Sequence, residues 1–241
     1  PSFENLGVDT YNIIVRDANG CEFFFTETIT GPPAIIISDI DITNVLCFGG
    51  ATGEIVVTAS GGTGALQYSL NGGAYQASGT FSNLTANTYT VRVRDANGCI
   101  LTEDVEVTEP APLLFTTQNA TDITCNGLTD GTITLEVSGG TAPYEFSITG
   151  TPPFTSTDGL YTGLSAGNYP VVVRDANGCI LFGSTLVIAE PPVIVITGEI
   201  SQDIQCFGGT ANITITATGG TGVLSYNLVN NLSVVVASNT D

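Results

Sequence analysis

The string Val-Arg-Asp-Ala-Asn-Gly-Cys occurs three times in this chain, ending at Cys21, Cys99 and Cys179, at intervals of 78 and 80 residues. A second cysteine series, Cys47, Cys125 and Cys206, recurs at intervals of 78 and 81 residues. Ser/Thr-Gly-Gly-Thr recurs from Ser60, Ser138 and Thr218, and a Leu with a Tyr five residues on recurs as Leu6/Tyr11, Leu84/Tyr89 and Leu164/Tyr169. Self-similarity at a fixed period means a tandem array, in which each unit builds its own core and touches only its neighbours. Prolines mark the joints at Pro32-Pro33, at Pro110 with Pro112, and at Pro191-Pro192. A proline there blocks strand continuation and stiffens the link.

The parse gives the C-terminal part of a repeat at 1–32, whole repeats at 33–110 and 111–191, and the N-terminal part of a repeat at 192–241. The two end pieces hold about one repeat between them. A lone C-terminal hairpin cannot bury a core, so either the parent chain continues at both ends or neighbouring copies complete the pieces. No signal peptide is visible and residue 1 does not resemble a native start, so the expectation is an interior piece of a longer secreted chain.

Within 33–110 the hydrophobic residues sit in short Val/Ile/Thr/Tyr runs with a period of two and no helical periodicity. Ala34–Cys47 reads as a long first strand, broken near Asp39. Strands follow at Glu54–Ala59, Leu66–Leu70, Ala74–Ala77, Thr80–Leu84, Thr88–Arg94 and Cys99–Thr108. Gly61-Gly62, Asn71-Gly72-Gly73 and Asp95-Ala96-Asn97-Gly98 supply turns. Seven short strands in about 78 residues predict an all-β chain, a tandem array of seven-stranded immunoglobulin-like sandwiches. Tyr11, Tyr89 and Tyr169 then stand where a tyrosine corner would, the hydroxyl bonding backbone upstream.

Four arginines face 23 acidic residues, for a net charge of −19, with no Lys, His, Met or Trp. Nothing here neutralises phosphates, which argues against nucleic acid and anionic membranes as partners. No apolar run reaches the roughly 20 residues of a membrane span. Without histidine or lysine, the Ser-His, Cys-His and lysine-base arrangements are excluded, and the carboxylates recur with the repeat where an active site should be unique. The chain is read as not an enzyme. Zinc fails as well, since the cysteines lie about 26 and 52 residues apart with no histidine between. Arg16, Arg94 and Arg174 precede the turn Asp and are expected to pair with carboxylates on adjacent strands, such as Glu103 or Glu106 for Arg94. Tyr75, Phe154 and Tyr161 are the candidate sugar-stacking aromatics.

Cys47-Phe48-Gly49-Gly50, Cys206-Phe207-Gly208-Gly209, Ser138-Gly139-Gly140-Thr141, Leu164-Ser165-Ala166-Gly167-Asn168-Tyr169 and Asp175-Ala176-Asn177-Gly178-Cys179, in the order and at the period seen here, resemble the SprB repeat of Bacteroidetes cell-surface proteins. Departures fall in loops: Asn87 replaces a Gly, Cys125-Asn126-Gly127-Leu128 lacks the second Gly, and Thr30-Gly31-Pro32 replaces Glu-Pro. The resemblance implies a large extracellular adhesin, exported by type IX secretion and carried along the bacterial surface in gliding. The expected role is a semi-rigid structural stalk segment whose partners are adjacent repeats. Two alternatives are a distributed lectin-like surface for polysaccharide, and a filament completed by strand exchange between copies.

Two further expectations concern the joints. Asp95 and Asn97, and Asp175 and Asn177 with Glu109, are candidate Ca²⁺ ligands; the alternative is that the Asp and Asn serve the turn alone. Cys21, Cys47, Cys99, Cys125, Cys179 and Cys206 are disulfide candidates. Pairing within a repeat gives Cys47–Cys99 and Cys125–Cys179; pairing across a junction gives Cys47–Cys179. Seven alternating strands put Cys47 and Cys99 at opposite ends of the module, whereas six, with Ala74–Ala77 as loop, make the within-repeat pairing easy.

Overall fold

The computed structural model describes residues 1–230, 233 and 235–240, with Val236 and Asn239 as backbone. The chain divides into two compact units, Pro1–Glu109 and Pro110–Asp241. The described residues are all β, and no helix among them is long and apolar enough to cross a membrane.

In the first unit, β1 (Asp9–Arg16) and β2 (Glu22–Ile29) form a hairpin. A sandwich follows, made of β3 (Ile36–Thr43), β4 (Gly53–Ser60), β5 (Gln67–Leu70), β6 (Thr80–Leu84), β7 (Asn87–Arg94) and β8 (Ile100–Val107). Its two sheets have the orders β3-β4-β6 and β5-β7-β8. Alternation explains the core. Ile55 and Val57 of β4, Tyr89, Val91 and Val93 of β7, and Val105 and Val107 of β8 are buried together with Val45, while the residues between them face outward.

Two expected strands are modified. Ala74–Ala77 contributes a single bridge, Gln76 to Tyr68, on the edge of β5 away from β7. It reverses the chain as a seventh strand would. The first strand stops at Thr43 rather than running to Cys47, because Asn44 and Val45 turn to the end of β8. The Asn44 side chain accepts from Thr108 N at 2.9 Å, and Val45 N donates to Thr108 O at 2.9 Å. The break near Asp39 is a bulge at Ser38 in the β3–β4 register.

The second unit repeats the plan. β9 (Leu114–Thr121), β10 (Gly131–Ser138) and β12 (Leu160–Leu164) form one sheet; β11 (Glu145–Ser147), β13 (Gly167–Arg174) and β14 (Ile180–Ile188) form the other. Ile123, Ile133, Leu135, Phe146, Val171, Val173 and Ile188 are the core. Beyond it, β15 (Val195–Ser201) pairs with β16 (Ile213–Thr218), and β17 (Ser225–Val229) with β18 (Val235–Thr240).

Glycine is required where the Gly-Gly turn meets the segment entering each first strand. Gly61 has φ +80°, and a Cβ there would lie 1.9 Å from Ala34 O; at Gly139, with φ +75°, it would lie 1.9 Å from Pro112 O. The following amides, Gly62 and Gly140, donate to Pro33 O and Ala111 O. The turn is thereby fastened to the start of its own repeat.

Candidate functional site

The recurring residues gather at the two ends of each sandwich. At one end, Asp95 N donates to Cys99 O and Gly98 N to Asp95 O, both at 3.1 Å. Gly98 takes φ +85° to let the chain reverse. Asp95 is buried, and its carboxylate accepts from Thr63 N at 2.9 Å and Cys99 N at 2.8 Å. The Thr63 amide, opposed by the cost of burial and assisted by the Cys99 and Asn97 amides, holds this carboxyl below its ordinary value of 3.8. Ala96 N donates back to Thr63 O, so the Ser-Gly-Gly-Thr and Asp-Ala-Asn-Gly turns are sewn together. Asp175 accepts from Thr141, Asn177 and Cys179 amides in the same manner, and Asp17 from Asn19 and Cys21.

The opposite end carries the other cysteine. Gly50 N donates to Cys47 O, and Gly49 N to the Glu109 carboxylate at 2.6 Å. In the second sandwich, Leu128 N donates to Cys125 O, Gly127 N to Glu190, and the Asn126 side chain to Pro191 O. Most of the residues considered as Ca²⁺ ligands take part in these turns and loops. Asp95 and Asp175 bind turn amides, Asn177 donates to Thr141 Oγ1 at 3.0 Å, and Glu109 closes the Cys47 loop. Among the described residues no three His, Cys, Asp or Glu are grouped to hold a metal.

The cysteines divide by state. Cys47 and Cys179 are each disulfide-bonded; Cys21, Cys99, Cys125 and Cys206 are exposed free thiols. This corrects the within-repeat pairing of Cys47 with Cys99 and of Cys125 with Cys179. The cause is strand direction: in each sandwich the two cysteines flank opposite ends of the last strand.

The three tyrosine hydroxyls donate to carbonyls four residues upstream: Tyr11 to Gly7 at 3.1 Å, Tyr89 to Thr85 at 3.0 Å and Tyr169 to Ser165 at 2.8 Å. Arg16 pairs with Glu22 on β2, and Arg174 with Glu145 on β11. Arg94 departs from expectation. It binds Gln67 Oε1 at 2.7 Å, not Glu103 or Glu106. Gln67 is directly opposite it on β5. Glu103 is opposite Val91, on the core side, and Glu106 is opposite Thr88, roughly 20 Å along the strand from Ile100, the partner of Arg94.

Sequence reading missed the arginine–aromatic stacks. Arg94 lies 3.8 Å over the Tyr75 ring and Arg174 lies 4.5 Å over Phe154. The near-equal offsets of Tyr75 and Phe154 from their arginines, 19 and 20 residues, were the available signal. Tyr161, the third aromatic considered for sugars, packs against the second core.

Residues 40–75 and 117–155 match the SprB repeat family. No curated protein matches the chain. Among solved structures, the C-terminal 282-residue fragment of intimin, in complex with the translocated intimin receptor intimin-binding domain, is similar over 67% of this chain and 67% of that one, at 16% identity and a TM-score of 0.34. Sidekick-1 immunoglobulin domains 1–5 are similar over 96% of this chain and 56% of that one, at 13% identity and a TM-score of 0.36. The matched repeat is of a surface-associated, adhesin-like kind. Each matched segment lies in one of the two sandwiches whose ends carry the cysteines, so each whole repeat of this chain carries a stretch similar to the SprB repeat.

Proposed function

We propose that this chain is a stalk segment of a long extracellular repeat adhesin on a bacterial surface, transmitting force to a distal adhesive part, with gliding motility and type IX export as its setting. The observation that carries the reading is the placement of the two cysteines of each sandwich at opposite ends, one disulfide-bonded and one free. A cysteine facing out from a module end is suited to linking modules and not to stapling one. With the other four cysteines as thiols, Cys47 and Cys179 are assigned to each other, one from each whole repeat. Such a bond carries tension covalently past the joint and restrains bending. The −19 charge of the chain keeps neighbouring stalks apart.

The lectin-like alternative is less favoured, because the Tyr75 and Phe154 rings already carry an arginine on one face. Small-angle scattering on chains of increasing repeat number tests the stalk. Maximum dimension is expected to grow linearly with repeat number, and to respond to reduction of the Cys47–Cys179 bond. A dimension that grows only as the cube root of mass, as for a compact globule, overturns the reading.

A further inference from the structure

Two of the four arginines have no carboxylate partner, and they lie side by side. Among the described residues only Arg16 and Arg174 are in ion pairs, with Glu22 and Glu145. Arg92 and Arg94 alternate on the outward face of β7, whose Val91 and Val93 are buried. Both guanidiniums reach across β5 to one short segment. Arg94 stacks 3.8 Å over the Tyr75 ring, and a Cβ added at Gly72 would come 3.5 Å from Arg92 Nη1. Their strand neighbours on this face are uncharged hydrogen-bonding groups: Gln67 is opposite Arg94, and Thr102 is opposite Arg92. The carboxylate of Asp104, farther along β8, accepts from the Thr90 hydroxyl at 2.7 Å. The other copies of this strand lack the pair. In the second sandwich the buried Val172 stands where Arg92 does, and Glu145 stands where Gln67 does. In β1 the residue equivalent to Arg92 is Ile14. A chain of net charge −19 thus keeps its unneutralised pair of cations on one face of one repeat.

We propose that Arg92 and Arg94 form a binding site for a carboxylated saccharide, of the kind a polyuronate chain presents. A guanidinium offers a planar fork that takes a carboxylate bidentately, and it is more weakly hydrated than an ammonium. Two such forks over one segment, set among amide and hydroxyl groups and beside an aromatic ring, match a ligand that combines carboxylates with hydroxyls. Small molecules are held in concave pockets, whereas an open sheet face suits an extended polymer. The pair makes one site on one repeat, read by the arginines, in place of a distributed surface that stacks sugars on rings. A stalk can carry such a site on its flank, and the site does not rest on the stalk reading.

The test is an NMR titration of the full isotope-labelled chain at physiological salt, where a Debye length of about 8 Å screens the remote carboxylates. With four arginines the chain gives four side-chain Nε–H signals, assigned from single Arg→Gln variants. Trigalacturonate is the probe, with galactotriose as the neutral sugar and triglutamate as the carboxylated peptide. Trigalacturonate is expected to move the Arg92 and Arg94 signals along one saturating curve and to leave those of Arg16 and Arg174 in place. Galactotriose is expected to move none, and triglutamate to bind more weakly than trigalacturonate. Arg92→Val and Gln67→Glu each install the second sandwich's residue at an exposed position. Removing or neutralising one charged contact is expected to weaken binding by about tenfold or more in each. Arg174→Gln is expected to bind as the unaltered chain does. The proposal is overturned if the Arg92 and Arg94 signals stay in place through the millimolar range, or if all four signals move together. Triglutamate binding as tightly as trigalacturonate also overturns it, since the face would then read carboxylates without the sugar. So does undiminished binding in Arg92→Val or Gln67→Glu when the variant keeps the unfolding transition of the first sandwich.

Discussion

Cys47 and Cys99 flank opposite ends of the same strand. Cys47 lies two residues after Val45, whose amide donates to Thr108 O beyond the end of β8, whereas Cys99 immediately precedes Ile100, its first residue. Seven residue steps of about 3.3 Å separate the ends by roughly 23 Å. A disulfide needs Cα atoms within about 7 Å. Peptide mapping without reduction is therefore expected to yield one linked pair, containing Cys47 and Cys179, and alkylated Cys21, Cys99, Cys125 and Cys206. A peptide linking Cys47 to Cys99 would sink the junction bond.

The tyrosine corner gives a second expectation. The Tyr89 ring is packed in the first core and its hydroxyl ties the β6–β7 connection through Thr85 O. Tyr89→Phe keeps the ring and removes that bond, at a cost of about 1 kcal/mol. For a sandwich of this size, that is a fall in Tm of roughly 4–8 °C. Thermal unfolding measures it, and an unchanged Tm would make the hydroxyl incidental.

Periodic residues were legible in the sequence because their chemistry is local. Asp95-Ala96-Asn97-Gly98 must turn, and Tyr89, Val91 and Val93 must share a face, whereas the separation of Cys47 from Cys99 stayed open between seven strands and six until the Gln76–Tyr68 bridge showed the chain reversing there. What sequence could not supply were contacts between strands distant in order. Arg94 had acidic residues at hand on β8, yet register set Gln67 of β5 opposite it. Nor could sequence supply the Thr63 and Thr141 amides, 32 and 34 residues upstream, that the turn carboxylates accept from. The first strand read too long because the turn at Asn44 depends on Thr108, 64 residues away.

Two glycines separate backbone conformation from close approach. Gly127 has φ +77° with nothing within 4 Å of an added Cβ, whereas at Gly139 that Cβ would meet Pro112 O at 1.9 Å. Gly127→Ala should cost only the left-handed strain, about 1–2 kcal/mol. Gly139→Ala adds a backbone collision that no side-chain rotation relieves, so its loss should be the larger of the two. Denaturant midpoints of the two variants decide it, and equal losses would refute the close approach.

The last prediction concerns acid. The Asp95 carboxyl is held below its ordinary 3.8 by the Thr63 amide first, then by those of Cys99 and Asn97, against the cost of burial. A carboxylate whose folded pKa is depressed stabilises the fold above its unfolded value. That stabilisation is lost as pH falls from about 4 through the lower folded value, where the native state must take up a proton. Asp95→Asn keeps the shape but removes the charge, and it offers at best one acceptor oxygen where two accepted. The Thr63 or the Cys99 amide then faces an NH₂ group. The first sandwich of the variant should melt lower than wild type at pH 7, and the gap should narrow steadily below pH 4 as the wild-type carboxylate protonates. Thermal unfolding followed by circular dichroism across that range measures both curves. A gap that stays constant down to pH 2 would show that the charge of Asp95 contributes nothing and that the turn is held by shape alone.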